Sequence, residues 1–229
     1  MAIFEIFYQP GKVFASLPER RGAWVAPLIL GILLSLGATV AIVHLIGMQT
    51  IIRQQLETTR LNITPEQMQQ ALNTADSPAR VYGTYGAVLV GGAVVPLVIA
   101  GLLSVFAMMG SRQPRFGTMF SMVTLSFLPY TLIVTVMTIL VLYSSPDRSS
   151  LDYQNLLATN AGAFMNKETT ARGLYTLMTS VDILSFLEIG LMSYGFAKVT
   201  RSSVFFGVVA VGGCWLLYVL AKVGLSLVF

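Results

Sequence analysis

The sequence is short of charged residues, of cysteine and of histidine. Asp, Glu, Lys and Arg make up only 10% of the 229 residues, whereas soluble globular domains contain about 25%. Because Cys214 is the only cysteine, a disulfide or a cysteine metal cluster within the chain is excluded. His44 is the only histidine and has no cysteine beside it, so we expect a hydrogen-bonding residue rather than a metal ligand. We therefore expect no cofactor.

The sequence also lacks the short motifs of common catalytic sites. It contains no G-x-x-x-x-G-K, no G-x-S-x-G and no H-E-x-x-H, so the usual machinery of nucleotide hydrolysis, serine hydrolysis and zinc proteolysis is missing. No basic face with interleaved aromatic residues is expected outside the membrane, and we expect no nucleic-acid binding. The sequence therefore argues against an enzyme, unless several polar groups converge on one water-filled cavity in the membrane.

Apolar residues are abundant instead. They make up 55% of the chain, and the mean hydropathy is +0.75. A helix needs roughly 20 apolar residues to cross the hydrocarbon core of a bilayer, and five blocks satisfy this, at about residues 23–48, 83–109, 117–143, 174–197 and 204–229. The pattern predicts an all-α, polytopic membrane protein whose single five-span domain covers residues 23–229.

Residues 1–22 combine aromatic and basic side chains, among them Phe4, Phe7 and Lys12. Such a composition is typical of an interfacial segment that lies on the inner leaflet, with its basic groups near anionic lipid. Pro10-Gly11 and Pro18 are expected to divide any helix there into short pieces. We therefore expect membrane lipids as partners of this segment.

The distribution of basic residues predicts the orientation of the spans, because cytoplasmic loops carry an excess of Lys and Arg. Seven basic residues lie in the N-terminal segment and in the second and fourth loops, namely Lys12, Arg20, Arg21, Arg112, Arg115, Lys198 and Arg201. In the first and third loops, six basic residues are balanced by six acidic ones. We expect a cytoplasmic N-terminus and a C-terminus at Phe229 outside.

The two longer loops carry helix signals. Thr64-Pro65-Glu66-Gln67 reads as an N-cap, a proline at the first helical position and a glutamine three residues after the cap, which predicts a short amphipathic helix through about Ala75. In the other long loop, Ser149 or Ser150 is suited to cap a turn that ends before Asn160. These loops serve either as ordered connectors or as partner-binding elements.

Three ionisable residues fall inside the predicted spans, namely Asp182, Glu188 and Lys222, and each is costly there unless it is paired or reaches the interface. Asp182 lies ~12 Å into the fourth span and Lys222 ~10 Å from the end of the fifth, at 1.5 Å per residue. An ion pair between them would be either a staple that fixes helix register or part of a proton or substrate relay, and Lys222 has the alternative of snorkelling outward. Glu188 has no charged partner at its depth. We expect its carboxyl group to be neutral and to face hydroxyl groups or water, which makes it the better functional candidate.

Small residues recur at fourfold spacing at Gly83, Ala87 and Gly91. Such a ladder lets another helix approach closely, although it does not identify that helix. Pro96 and Pro129 interrupt the second and third apolar blocks, and kinked helices without a site are commoner than proline breaks at a transport site.

Four segments carry a resemblance to a known family. They are Pro10-Gly11-Lys12-Val13-Phe14 with Arg20-Arg21, Trp24 and Pro27; Phe127-Leu128-Pro129-Tyr130; Ser180-Val181-Asp182; and Trp215-Leu216-Leu217-Tyr218 with Lys222-Val223-Gly224. In order and spacing they resemble Yip-domain proteins, the Ypt/Rab-interacting family of five-span membrane proteins, and in particular its bacterial branch.

The resemblance implies a cytosolic N-terminus and a C-terminus on the opposite side. For eukaryotic members it implies vesicle traffic through Rab-type GTPases, but this chain lacks their long cytosolic N-terminal region and their Asp-Leu-x-Gly-Pro stretch. GTPase binding is therefore not expected, and a bacterial cytoplasmic (inner) membrane is the expected location. We expect a non-enzymatic scaffold or accessory subunit of a trafficking, export or envelope system, bound to other membrane proteins or to itself. The alternative is a small permease or channel-like subunit that uses Asp182, Glu188 and Lys222.

Overall fold

The computed structural model describes residues 2–58, 63–109, 113–148, 150–167 and 169–228. Within these residues the chain is all-helical, with 80% of residues in helices and no strands. The helices are α1 (Ala2–Glu5), α2 (Pro10–Ser16), α3 (Val25–Ile46), α4 (Met48–Thr58), α5 (Pro65–Asn73), α6 (Pro78–Ala107), α7 (Phe116–Ser144), α8 (Arg172–Ser180), α9 (Ile183–Thr200) and α10 (Val204–Val228).

Five of these helices, α3, α6, α7, α9 and α10, are long and apolar enough to cross a membrane. The predicted all-α, five-span architecture is therefore confirmed. Helix α7 occupies the middle of the bundle because it packs against α3, α6 and α9, while α10 packs mainly against α9 and also contacts α6. Pro96 and Pro129 lie inside α6 and α7, and both helices continue past them.

One end of the bundle, which we call the basic end, holds α1, α2 and the short loops near residues 113–115 and 201–203. The N-terminal segment does more than lie on a surface there. Phe14 and Val13 on α2 are fully buried in the main hydrophobic core together with Met122 and Phe196, and α2 packs against α9. Phe4, Phe7 and Tyr8 stay exposed, so one part of the segment is buried in the core and another part is not. Arg112 and Arg60, which were among the loop residues used to predict the orientation of the spans, lie outside the described residues.

The other end carries a cap, formed by α4, α5, residues 150–167 and α8. The predicted helix after Thr64 is confirmed, because α5 begins with a capping box in which the side chains of Thr64 and Gln67 bond to each other's backbone N–H groups. The second long loop forms two short 3₁₀ turns, at Tyr153–Asn155 with Asp152 as its N-cap and at Ala161–Phe164. Of the two predicted caps, Ser149 lies outside the described residues and Ser150 donates to the carbonyl oxygen of Asp147.

Side chains tie the two long loops into one unit. Gln54 on α4 donates to the carbonyl oxygen of Leu151 at 2.9 Å and accepts from the backbone N–H of Tyr153 at 3.2 Å. Lys167 forms an ion pair with Asp152 at 3.5 Å. The cap is therefore a cross-linked layer over the cap end of the bundle.

The fourth apolar block does not form one helix. The chain leaves the helical conformation at Val181 and Asp182, which separate α8 from α9. Helix α8 packs against α10 and against the 3₁₀ turn at Ala161–Phe164. The membrane-crossing part of this block thus begins at Ile183, nine residues later than the predicted start at residue 174.

Candidate functional site

A polar cavity of about 370 Å³ lies between the cap and the helices α7, α9 and α10. Its lining side chains include four aromatic rings and two opposite charges in addition to hydroxyl and amide groups. They are Ile42 from α3; Tyr130, Val134 and Thr138 from α7; Tyr153, Gln154, Asn155, Leu156, Leu157, Thr159 and Asn160 from the cap; Thr179 and Ser180 from α8; Asp182, Leu184 and Ser185 from the start of α9; and Trp215, Tyr218 and Lys222 from α10.

The cavity extends from the cap end to about the middle of the bundle. Asp182 lies 18 residues from the end of α9 at Thr200, and Lys222 lies 18 residues from the start of α10 at Val204, which is ~27 Å in each case at 1.5 Å per residue. The hydrocarbon core is ~30 Å thick, so both charges lie near its boundary at the cap end. Tyr130 sits at the midpoint of α7 and forms the floor.

The break between α8 and α9 builds the charged rim of this cavity. Asn160 and Asp182 form an isolated antiparallel bridge, in which the N–H of Ala161 donates to the carbonyl of Val181 at 2.9 Å and the N–H of Ile183 donates to the carbonyl of Thr159 at 3.3 Å. These bonds satisfy backbone groups that the interrupted helix leaves free, as a membrane-embedded break requires. Residues 159–161 therefore hold the break open.

Asp182 serves as the N-cap of α9. Its carboxylate accepts from the backbone N–H groups of Leu184 at 3.4 Å and Ser185 at 3.3 Å, and from the Ser185 hydroxyl at 3.1 Å. A carboxylate at this position satisfies free amide groups and complements the positive end of the helix dipole. The sequence signal was present, since an aspartate directly precedes the apolar run, but a continuous span was predicted instead.

Asp182 and Lys222 form no ion pair within the described residues, so the structure does not contain the pair considered above. Lys222 Nζ instead donates to the Ser180 hydroxyl at 3.4 Å. The reason is the helix break, because it turns the Asp182 carboxylate toward the amide groups of α9. The two charges still line the same cavity.

Glu188 lies on α9 below Ser185 and outside the residues that line the polar cavity. Its electrostatic neighbours are Tyr130 and Asp182, and its carboxyl group makes no hydrogen bond to another described residue. The structure therefore brings Asp182 and Lys222 together at the rim and places Glu188 next to the floor.

Two polar groups of the cap were missed in the sequence. Asn160 Nδ2 donates to Asn155 Oδ1 at 2.6 Å, whereas Asn160 Oδ1 is buried without a hydrogen-bond partner in the described chain. Tyr175 on α8 contacts Asn155, and burial together with the Asp152 carboxylate raises the pKa of its phenol above the ordinary value of 10.0. Only the three-dimensional fold brings residues 152–160 beside α8, so no local signal predicted these contacts.

A second cavity of about 220 Å³ is almost entirely apolar and lies between α3, α6 and α7. Tyr130 lines both cavities, and Gly31, Gly91, Val95 and Phe127 belong to the apolar one. The apolar cavity therefore begins at the residue that forms the floor of the polar cavity.

The small-residue ladder of α6 is not packed tightly against another helix of the described chain, although Gly91 lines the apolar cavity beside α3 and α7. Gly83 and Ala87 are exposed, and a Cβ placed on Gly83 or Gly91 would have no heavy atom within 4 Å. Close packing in the bundle occurs at other glycines, such as Gly92 against Ile32 and Gly195 against Phe14. His44 is exposed in the last turn of α3, and the described residues contain no group of three side chains suited to hold a metal ion.

The family model described as the Yip1 domain matches residues 4–227 of the chain. No curated protein and no solved structure matches the chain.

Proposed function

Because the chain belongs to the Yip1 domain family of membrane proteins, we propose that it works as a non-enzymatic scaffold or accessory subunit in a bacterial cytoplasmic membrane. In this proposal the N-terminus is cytoplasmic, and the protein binds other membrane proteins of a trafficking, export or envelope system. A Rab-type GTPase is not among the proposed partners.

The observation that carries this proposal is the uncovered small-residue surface of α6, formed by Gly83 and Ala87 with Gly91 beside them. Small residues let transmembrane helices approach closely, and van der Waals packing then drives association. Inside the bundle, Gly92, Gly195 and Gly207 are used in this way, since a Cβ at each would press on a neighbouring helix. On α6, Gly83 and Ala87 offer the same small side chains and are exposed in the described chain.

The packing of the basic end supports a scaffold over a permease. Phe14, Met122 and Phe196 are fully buried there, and they belong to one continuous hydrophobic core. The polar cavity stops at Tyr130, and the cavity beyond it is apolar. The polar cavity and the apolar cavity together therefore form no continuous polar path for a solute.

Photocrosslinking tests the proposal at the surface that carries it. A photoreactive amino acid is placed at Ala87 or, as a matched control, at Leu217, which is also exposed but lies on α10. We expect irradiation of native membranes to link Ala87, but not Leu217, to a different membrane protein. Products that contain only lipid, or equal yields from both positions, would contradict a partner surface on α6.

The permease remains the second candidate because Glu188 lies beside Tyr130, where the two cavities meet. If Glu188 carries protons, the Glu188→Gln variant must lose proton-coupled flux in vesicles. The scaffold proposal predicts that Glu188→Gln keeps the Ala87 crosslink at full yield and changes no flux.

A further inference from the structure

We propose that the polar cavity binds a zwitterionic phosphate–ammonium group, of the kind carried by a phosphatidylethanolamine headgroup or by a soluble phosphodiester. This site lies between α7, α9 and α10, so it is separate from the small-residue surface of α6. The proposal stands whether or not α6 binds a partner protein.

The cation for the phosphate is Lys222. An ammonium group has three donors, and Lys222 uses one of them in a long hydrogen bond of 3.4 Å to the Ser180 hydroxyl. No carboxylate of the described chain lies within ion-pair distance of it. A half-buried lysine with free donors and an adjacent hydroxyl is suited to a phosphate oxygen, because charge-assisted hydrogen bonds are the strong ones.

The groups for the ammonium face the same cavity. Asp182 keeps its negative charge free of any lysine or arginine in the described chain, since its partners are amide and hydroxyl donors. Asn160 Oδ1 is a buried acceptor without a partner there. The rings of Tyr218 and Trp215 also line the cavity, and aromatic faces attract alkylammonium groups.

The cavity is charged at its rim and more apolar deeper in the bundle, in the same order as the headgroup and acyl chains of a lipid in the leaflet at the cap end. The charges lie at the rim, and Val134, Trp215 and Tyr130 lie deeper. Beyond Tyr130, the apolar cavity beside Gly91 continues toward the other end. An acyl chain that leaves a headgroup at the rim thus has an apolar space ahead of it. A volume of about 370 Å³ falls in the ~300–1,000 Å³ range of small-molecule sites.

Tryptophan fluorescence of the purified full chain in a non-ionic detergent tests this proposal. The chain has two tryptophans, and Trp24 packs against Phe120 at the basic end. In the Trp24→Phe background, Trp215 reports on the cavity alone. The probes are dihexanoylphosphatidylethanolamine, soluble glycerophosphoethanolamine, and dihexanoylphosphatidic acid, which has no ammonium group.

We expect a saturable change with at least one of the two zwitterionic probes, and binding to phosphatidic acid about tenfold weaker. Lys222→Gln should weaken zwitterion binding about tenfold or more, Lys222→Arg should retain it, and Asp182→Asn should weaken it while keeping the N-cap. Lys198→Gln, whose lysine lies over the Tyr194 ring at the basic end, is the matched control and should have no effect.

A further variant distinguishes the two sources of the zwitterion. Gly31→Leu on α3 fills the apolar cavity, because Gly31 lines it and a Cβ there meets no heavy atom within 4 Å. For a lipid ligand, it weakens phosphatidylethanolamine and leaves glycerophosphoethanolamine unchanged, whereas for a soluble ligand both probes bind as before. No saturable change with either zwitterion, equal binding of phosphatidic acid, or equal affinities of the folded Lys222→Gln and Lys222→Arg variants would overturn the proposal.

Discussion

At Asp182, one carboxylate both starts α9 and lines the polar cavity. Replacement by alanine removes the acceptor for the amide groups of Leu184 and Ser185, and loss of such an N-cap costs ~1 kcal/mol of folding free energy. Asparagine is also a good N-cap. We therefore predict that Asp182→Ala lowers the unfolding free energy in detergent by ~1 kcal/mol, whereas Asp182→Asn changes it little. Equal losses from the two variants would show that the charge, not the cap, stabilises this site.

Tyr175 provides a pH-dependent prediction in the cap, outside the spans. Burial and, to a lesser extent, Asp152 raise the pKa of its phenol above 10.0. In the unfolded chain the phenol ionises first, so its contribution to stability is complete below pH 10 and decreases as the pH rises above it. The difference between the tyrosinate absorbance titrations of the parent and Tyr175→Phe should have a midpoint above 10.0. In the Asp152→Asn background, that midpoint should move down, and a midpoint at or below 10.0 in the parent would contradict the cause assigned here.

The sequence identified Asp182 and Lys222 because charged residues are rare and costly in apolar segments. The sequence did not predict that Asp182 caps α9 and that Lys222 bonds to Ser180, because no glycine or proline marks the helix break at Val181 and Asp182. The backbone partners that hold this break open come from residues 159–161, about twenty positions earlier. The partners of these side chains therefore depend on a long-range contact that no local pattern encodes.

Between α9 and α10, a glycine allows the closest approach of two spans. A Cβ on Gly207 would overlap the backbone carbonyl oxygen of Ser193, whereas a Cβ on Gly212 of the same helix meets no heavy atom within 4 Å. We predict that Gly207→Ala lowers the unfolding free energy by ~1–3 kcal/mol, the usual cost of overpacking. Gly212→Ala is the matched control and should be neutral or slightly stabilising. Thermal unfolding in detergent compares the two variants. Equal unfolding midpoints would contradict a close approach of α9 and α10 at Gly207.

Local signals predicted some elements of the cap and missed others. The capping box at Thr64 acts over three residues, so the start of α5 was readable from the sequence. The inserted position of Phe14 was not, because it depends on Gly195 of α9, against which the Phe14 ring packs. The local sequence around an aromatic residue next to a basic one does not distinguish a side chain buried in the core from one at the membrane interface.

For the whole molecule, the five-span fold could be predicted from the sequence. Each spanning helix satisfies its backbone hydrogen bonds within itself and requires a long apolar segment, which is visible in the sequence. The polar cavity was not, since its lining combines α7, α9 and α10 with residues 153–160. The small-residue ladder of α6 was readable as a pattern, and the structure adds that its Gly83 and Ala87 are exposed in the described chain.

The orientation that the distribution of basic residues predicts can be tested with introduced cysteines. In a Cys214→Ser background, Asn73→Cys lies at the end of α5 in the cap, and Ser203→Cys lies between α9 and α10 at the basic end; both positions are exposed. We predict that a membrane-impermeant maleimide added to intact cells labels Asn73→Cys and leaves Ser203→Cys unlabelled until the membrane is opened. The reverse pattern would place the basic end outside.

The central claim, that the protein serves other membrane proteins, is tested most directly by affinity purification of the full chain from native membranes in a mild detergent, followed by mass spectrometry of the recovered proteins and lipids. We predict a stoichiometric membrane protein of an export, envelope or trafficking system in the eluate, and its loss in the Gly83→Leu, Ala87→Leu double variant. Recovery of a homo-oligomer alone, unchanged by that double variant, would contradict the claim and favour a self-contained permease.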